Sequence, residues 1–319
     1  MCRRRIEQAE PEKHLTKNFM KEAEAFLEAM DRKARLFAPS ARATVEANKE
    51  LCHWLLNPLG RWAESAYGAK AYDDAASGYA KYCIGVAQAQ QVYERAGRLT
   101  PEAMPEIVSG VYEDEGYMVP YMWAAILIYA FWPSMVNHLA MYRNQFLRRL
   151  PQGAKVLELA CGHGVLSLLA AEERPDIQVE GVDISPPAIV VANRLLAASG
   201  HSSRVQFAVR DALKAEDSNA GNEYQGIISA MLAEHLPQPK PLFTAMGRKV
   251  SKKDGLVFFS TAIESAQRDH VYEYNQESQP LQMCEAAGLR VASLVSDAAT
   301  VPATAKFLPR AVAMILRRR

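Results

Sequence analysis

Val156-Leu-Glu-Leu-Ala-Cys-Gly-His-Gly164 is an apolar run that ends in a glycine-containing turn and leads into a helical stretch from Val165 to Glu173. Gly162 and Gly164 let backbone approach a ligand closely. Ala160 stands at the turn, and Glu158, four residues before Gly162, brings a carboxylate to whatever binds there. Asp183, followed by Ile184, closes the next apolar run, at the place where a carboxylate can accept hydrogen bonds from both hydroxyls of a ribose. The third run ends in Arg210-Asp-Ala-Leu213, where Asp211 can accept from an adenine amino group and Ala212 offers a backbone donor. The other reading of Asp211 is a cap on the segment that follows. Acidic groups at the ends of three successive strands describe one crevice for a nucleoside-like ligand.

Charge narrows the choice of ligand. A dinucleotide fingerprint needs a third glycine or alanine three places after the second glycine, for close helix–strand packing, but Ser167 stands there. Glu158 would also face a pyrophosphate unfavourably. S-adenosylmethionine presents a cationic sulfonium and an ammonium, which a carboxylate near the turn offsets.

A second group of residues could act on an acceptor. Glu234-His235 follows the fourth apolar run, whose end, Met231, faces the same crevice. An imidazole with an ordinary pKa of about 6.5 can take a proton from a hydroxyl, amine or carbon acid. The alternative is that the pair merely orders its loop. Cys161, with no evident base, reads as a small apolar filler. The aromatic residues from Tyr117 to Trp132 are either plain core or one wall of an apolar pocket. In the second reading Tyr121 and Trp132 supply faces, while Tyr129, His138 and Tyr142 supply polar tips.

Taken in order, Glu158/Gly162/Gly164, Asp183, Asp211 and Glu234-His235 resemble the class I S-adenosylmethionine-dependent methyltransferases over roughly residues 150 to 319. The resemblance implies methyl transfer from S-adenosylmethionine. Ala233-Glu-His-Leu-Pro237 is similar to the segment after strand four in small-molecule enzymes of the ubiquinone-biosynthesis type. Some of those hold a divalent metal with an upstream glutamate, the equivalent of Glu234 and the histidine. Here Met231 occupies the upstream position, so no metal is expected. Arg268-Asp-His-Val-Tyr-Glu273 resembles the substrate-facing loop after strand five. No Asn/Asp-Pro-Pro-Tyr-type signature of protein methylation follows strand four. The expected acceptor is an apolar or aromatic metabolite, as in natural-product enzymes, with oxygen preferred to nitrogen or carbon. A binder of adenosylmethionine that does not methylate is the reading from another class.

The elements that must position these residues fall into two halves. Up to about residue 150 the periodicity is helical: Phe19, Ala23, Phe26, Leu27, Met30, Ala34 and Phe37 share a stripe that Pro39 should end. Further helices are expected from Ser40 to Pro58, over 69–96 with Gly97 as stop, from Thr100-Pro101, over 118–131 and over 134–150. After Pro151 short apolar runs alternate with helical stretches, the pattern of a mainly parallel α/β sheet. Strands are expected near 155–160, 178–183, 205–210, 225–231 and 256–261, and an antiparallel pair at 289–296 and 310–316 closes the chain. The predicted architecture is α/β: a Rossmann-like seven-stranded methyltransferase sheet with an antiparallel C-terminal strand, preceded by an all-helical lobe. Residues 1–150 are expected to be a lobe for substrate binding or oligomerisation, and 151–319 the cofactor domain.

Composition excludes some classes. Lys plus Arg (37) nearly equals Asp plus Glu (36) in 319 residues, so no global positive field draws nucleic acid or anionic lipid. Five dispersed cysteines fit neither a zinc site nor a disulfide scaffold and suit a reducing cytoplasm. The basic start Met1 to Arg5 runs into polar residues where an export signal needs an apolar stretch. The apolar segment Tyr121–Val136 is shorter than the roughly 20 residues of a membrane span and contains Pro133, so a buried helix is expected. A small-molecule partner is implied, with no nucleic acid and no membrane; a homo-oligomer stays open.

Overall fold

The computed structural model describes residues 21–214, 223–299 and 303–319. Phe19, Cys2 and the basic start lie outside them. Seven strands form one sheet: β1 (Lys155–Leu159), β2 (Gln178–Asp183), β3 (Val205–Val209), β4 (Gly226–Ala230), β5 (Leu256–Ile263), β6 (Leu289–Ala298) and β7 (Arg310–Arg318). Their order is β3-β2-β1-β4-β5-β7-β6. The first five pair in parallel, and β7 runs antiparallel between β5 and β6. β5 is buried at every residue, which is why its sequence shows no alternation of apolar and charged positions. The strand order reverses between β1 and β4, and a crevice opens there beyond the carboxyl ends of the strands.

The helical half comprises α1 (Lys21–Lys33), α2 (Ala38–Ala47), α3 (Lys49–Tyr67), α4 (Ala71–Ala96), the short α5 (Met104–Ile107), α6 (Glu115–Phe131) and α7 (Pro133–Met141). Several boundaries correct the sequence reading. Pro39 lies in the first turn of α2, where its missing N–H costs nothing, so it opens a helix and does not end one. The break falls at Asn48, and Pro58 sits inside α3. The Thr100-Pro101 start is also displaced, since the helix begins at Met104 after an extended Ala103. Gly97 does stop α4, in the left-handed conformation. α6 is capped by Asp114, whose side chain accepts from the Tyr117 N–H.

In the second half α8 (Val165–Glu173) and α9 (Pro186–Ser199) cover one face of the sheet, while α10 (Lys240–Lys249) and α11 (Ser278–Ala286) cover the other. The first face carries Val156, Ile228, Phe258 and Ile315, and its core continues without a break into Phe26, Leu55, Leu127 and Phe131 of the helical half. α3 and α6 both pack on α9. α6 is apolar nearly all round because it is buried nearly all round. No single helix among the described residues is long and apolar enough to cross a membrane; Glu115–Phe131 and Pro133–Arg149 qualify only as a pair, bent by 85°.

Candidate active site

The crevice at the β1/β4 reversal is a cavity of about 210 Å³, walled below by the strand ends and above by α6 and the residues leading into it. The turn after β1 forms one wall. Gly162 and Gly164 adopt φ of +49° and +69°, and a Cβ on them would meet Met122 Sδ at 3.2 Å and Phe207 Cζ at 2.4 Å. Conformation favours glycine at both positions, and at Gly164 the Phe207 ring leaves no room for a side chain as well. Ala160 and Met231, at the ends of β1 and β4, hold φ of 56° and 52° although neither is glycine, and both line the cavity. Positive φ in such residues is unfavourable and concentrates where a site has to be built.

Glu158 is buried and accepts from the Ser167 N–H at 3.2 Å and from the Ser167 hydroxyl. Ser167 thus does what a third glycine would not, giving the carboxyl a partner. Burial pushes the Glu158 carboxyl up to about 8, against the pull of those hydrogen bonds. Asp183 accepts from the Gly162 N–H through Oδ2 and from the Ser185 N–H through Oδ1, both at 2.8 Å. Burial raises it as well, while the backbone donors oppose the shift. Ile184 lies beside it on the cavity wall and is half exposed. Cys161, also on the wall, is kept a thiol by burial, and His163 is pushed down to about 4 for the same reason.

Asp211 is placed differently. Its Oδ1 accepts from the Leu213 N–H at 2.9 Å, its Oδ2 lies 3.8 Å from Lys214 Nζ, and neither it nor Ala212 lines the cavity. Asp211 here closes a turn after β3.

The acceptor side gathers around Glu234 and His235, which form a short 3-10 turn after β4. Glu234 is 1% exposed; its Oε2 accepts from the Thr261 hydroxyl at 2.7 Å, and its Oε1 has no partner. The backbone carbonyl of Glu234 accepts from the Val271 and Tyr272 N–H groups, tying this turn to the loop after β5. That loop delivers Asp269 and His270, each 1% exposed. His235 Nδ1 lies 3.0 Å from the Asp269 carbonyl and 3.4 Å from its Oδ2. Burial pushes the His235 imidazole down, but the charges of Asp269 and Glu234 outweigh it and hold the ring above its usual value. His270 stands edge-on to His235, with ring centroids 5.1 Å apart, and is lowered by burial and by that neighbour.

Asp269 and His270 carry no motif of their own. The resemblance of 268–273 to a substrate-facing loop pointed to the segment but not to those two side chains. Met231 cannot be the ligand that a glutamate would be, but Glu234, His235 and His270 bring one potential ligand atom each to within 4.8 Å of one another. Two buried carboxylates with unpartnered oxygens, Glu234 and Asp269, complete a set that fits a cation.

Of the five expected acceptor contacts, Tyr121 and Tyr129 line the cavity and the others do not. Trp132 turns away to donate its Nε1–H to the Tyr79 hydroxyl at 2.9 Å. His138 is fully buried on α7, which packs on β6 and β7, and burial lowers it to about 4, so it is a neutral core residue. Tyr142 donates to the Leu166 carbonyl at 2.8 Å and stacks on Phe146 beneath the sheet face. Tyr82 and Tyr112, absent from the sequence reading, take their places on the wall. Both come from segments where the helical pattern makes a tyrosine look like core.

Residues 150–301 match the family model described as a methyltransferase domain. The chain is 34% identical over 109 residues to a ubiquinone biosynthesis O-methyltransferase of Nitrosospira multiformis, a match covering 34% of this chain and 43% of that protein. It is 37% identical over 84 residues to a release factor glutamine methyltransferase of Staphylococcus aureus, covering 26% and 29% of the two. The chain thus spans less than half the length of these curated relatives. Among solved structures, a phosphoethanolamine N-methyltransferase 2 of Haemonchus contortus in complex with S-adenosyl-L-methionine shares the fold with a TM-score of 0.51 at 16% identity, covering 68% of this chain and 60% of that one. Strand order, glycine turn and family match agree: residues 150–301 are a class I methyltransferase domain, and S-adenosylmethionine is its cofactor.

Proposed function

We propose that the whole chain methylates a small apolar or aromatic metabolite, at oxygen by preference. The observation that carries this reading is one cavity holding both halves of the reaction: the Glu158, Gly162 and Asp183 wall, and the Glu234, His235, Asp269 and His270 floor under a roof from the helical lobe. The cofactor supplies an activated methyl group on a sulfonium. Asp183, with lone pairs left over from its two backbone donors, would accept from the ribose hydroxyls, and Ile184 would lie against the adenosine. In this reading Ala212 and Asp211 shape the turn at the adenine edge. Glu158, close to the charged end of the cofactor, would ionise against it.

The lobe, residues 1–150, covers the acceptor. Tyr82, Tyr112, Tyr121 and Tyr129 give the chamber aromatic faces, which suit a flat apolar acceptor and a sulfonium alike. Holding the acceptor in line with the methyl group is the larger part of the work, since positioning supplies about 7–11 kcal/mol in favourable systems. Glu234 and His235 meet the reacting group and help it lose its proton, an effect of roughly 10²–10⁴-fold. The similarity to an O-methyltransferase of ubiquinone biosynthesis favours oxygen as the methylated atom, and the aromatic chamber suits a phenol. In this reading the lobe and the Glu234–His235 side of the cavity, not the Glu158–Asp183 wall, carry acceptor choice.

The test is transfer of a labelled methyl group to a panel of phenols, amines and carbon acids of similar size. Transfer to phenols, reduced by His235→Ala with adenosylmethionine affinity retained, supports the reading. Tight cofactor binding with no transfer to any of them would favour a non-methylating binder.

A further inference from the structure

We propose that Glu234, His235 and His270 form a divalent-cation site of the two-imidazole, one-carboxylate type at the cavity floor, selective for ions such as Mn²⁺, Co²⁺ or Zn²⁺ over Mg²⁺. The three side chains offer ligand atoms within 4.8 Å of one another. Each is also oriented from behind, as metal ligands are. His235 Nδ1 bonds the Asp269 carbonyl at 3.0 Å and His270 Nδ1 bonds the Ser265 carbonyl at 2.9 Å. A carbonyl only accepts, so Nδ1 carries the proton in both rings and Nε2 keeps the lone pair. Glu234 is held at Oε2 by the Thr261 hydroxyl, and its buried Oε1 is left without a partner.

The charge around the cluster points the same way. Asp269 is 1% exposed, neither of its oxygens accepts a hydrogen bond, and Oδ2 lies 3.4 Å from His235 Nδ1. Two buried carboxylates in this state are costly unless a cation compensates them. Imidazole ligands select borderline first-row ions, whereas Mg²⁺ prefers all-oxygen sites. Three protein ligands leave positions open, as in catalytic and not structural sites. The ligand that Met231 does not supply thus comes from His270, on a loop that the helical lobe fixes through Gln90 and Glu273.

A cation here would ease ionisation of an acceptor hydroxyl; that consequence rests on the methyltransferase reading, whereas binding itself does not. The test is titration of the chelator-stripped full chain with Co²⁺, read by visible absorption and calorimetry, beside adenosylmethionine binding on the same samples. One ion per chain is expected, with Mg²⁺ in excess failing to displace it. Glu234→Gln and His270→Gln should each weaken Co²⁺ binding at least about 100-fold, and Thr261→Val about 10–100-fold, as for loss of a group that orients a ligand. Retained cofactor affinity shows that each variant is folded. No Co²⁺ signal from a chain that binds adenosylmethionine would overturn the proposal, as would variants that bind Co²⁺ like the parent. Co²⁺ binding without cofactor binding would leave the metal site standing and sink the methyltransferase reading instead.

Discussion

At the scale of single residues the turn after β1 was the most legible part of the chain. Glu158, Gly162 and Asp183, singled out by their spacing, lie together on the cavity wall, and Gly162 and Gly164 hold the positive φ that the turn requires. Glu158 has a consequence that spacing alone could not show. A carboxyl raised to about 8 from an ordinary 4.5 binds more protons folded than unfolded across that interval. The stability it confers is fully present below pH 4.5 and is lost as pH rises toward 8, so thermal melts of the ligand-free protein should show a decline that Glu158→Gln removes. A cationic ligand reverses the preference, and adenosylmethionine binding at pH 7 should release close to one proton. Calorimetry in two buffers of different ionisation enthalpy measures this; identical enthalpies would contradict it. Asp183→Asn should weaken cofactor binding by roughly 5–150-fold, the 1–3 kcal/mol of a buried hydrogen-bonding group left without its partner, and calorimetry again decides. The illegible residues were those whose role depends on distant partners. Asp211 could cap or bind, and only the fold put its carboxylate on the Leu213 N–H. The segment of Asp269 and His270 was legible but those two side chains were not, because nothing local marks a residue whose partner lies on the loop after the neighbouring strand.

At the scale of elements, each of the seven strands was legible to within two residues, since short apolar or alternating runs bounded by turn residues mark strands whether they pair in parallel or antiparallel. Helix ends were less so. Pro39 reads equally as a stop or as a first-turn residue, and tertiary packing of Ala38 and Ala41 settles it. The helices that roof the cavity were seen, but which of their faces meets the acceptor was not: Tyr121 and Tyr142 differ in fate only because α6 crosses the strand ends while Tyr142 lies under Leu166. The loop after β5 is held by α4 from above, with Tyr93 Oη donating to Glu273 Oε1 at 2.8 Å and the Leu99 N–H to Oε2 at 2.9 Å. Glu273→Ala should therefore raise hydrogen exchange over 264–277 and raise KM for the acceptor several-fold, about what one or two lost hydrogen bonds to a charged group allow. Cofactor affinity should stay as it was. Unaltered exchange in the loop would show that other contacts hold it.

At the scale of the whole molecule, the lobe and the methyltransferase sheet share a core that runs from Phe26 and Leu55 to Phe258 and Ile315. The change of periodicity near residue 150 marks a change of secondary structure and not a break in packing. All four tryptophans, at positions 54, 62, 123 and 132, lie in the helical half, so their fluorescence reports that half alone. Unfolding followed by fluorescence and by amide exchange in β1 and β5 should coincide. Phe258→Ala should lower both together by about 3–5 kcal/mol. Separate transitions would show two independent units and weaken the view that the lobe exists to close the chamber. On this reading the crevice between β1 and β4 takes adenosylmethionine with its methyl group aimed at the Glu234–His235 floor. A crystal structure with the demethylated cofactor bound tests it most directly: the ribose should lie on Asp183, with the sulfur facing His235 and the tyrosine wall. A nucleoside bound elsewhere, or a sulfur turned away from that floor, would contradict the account.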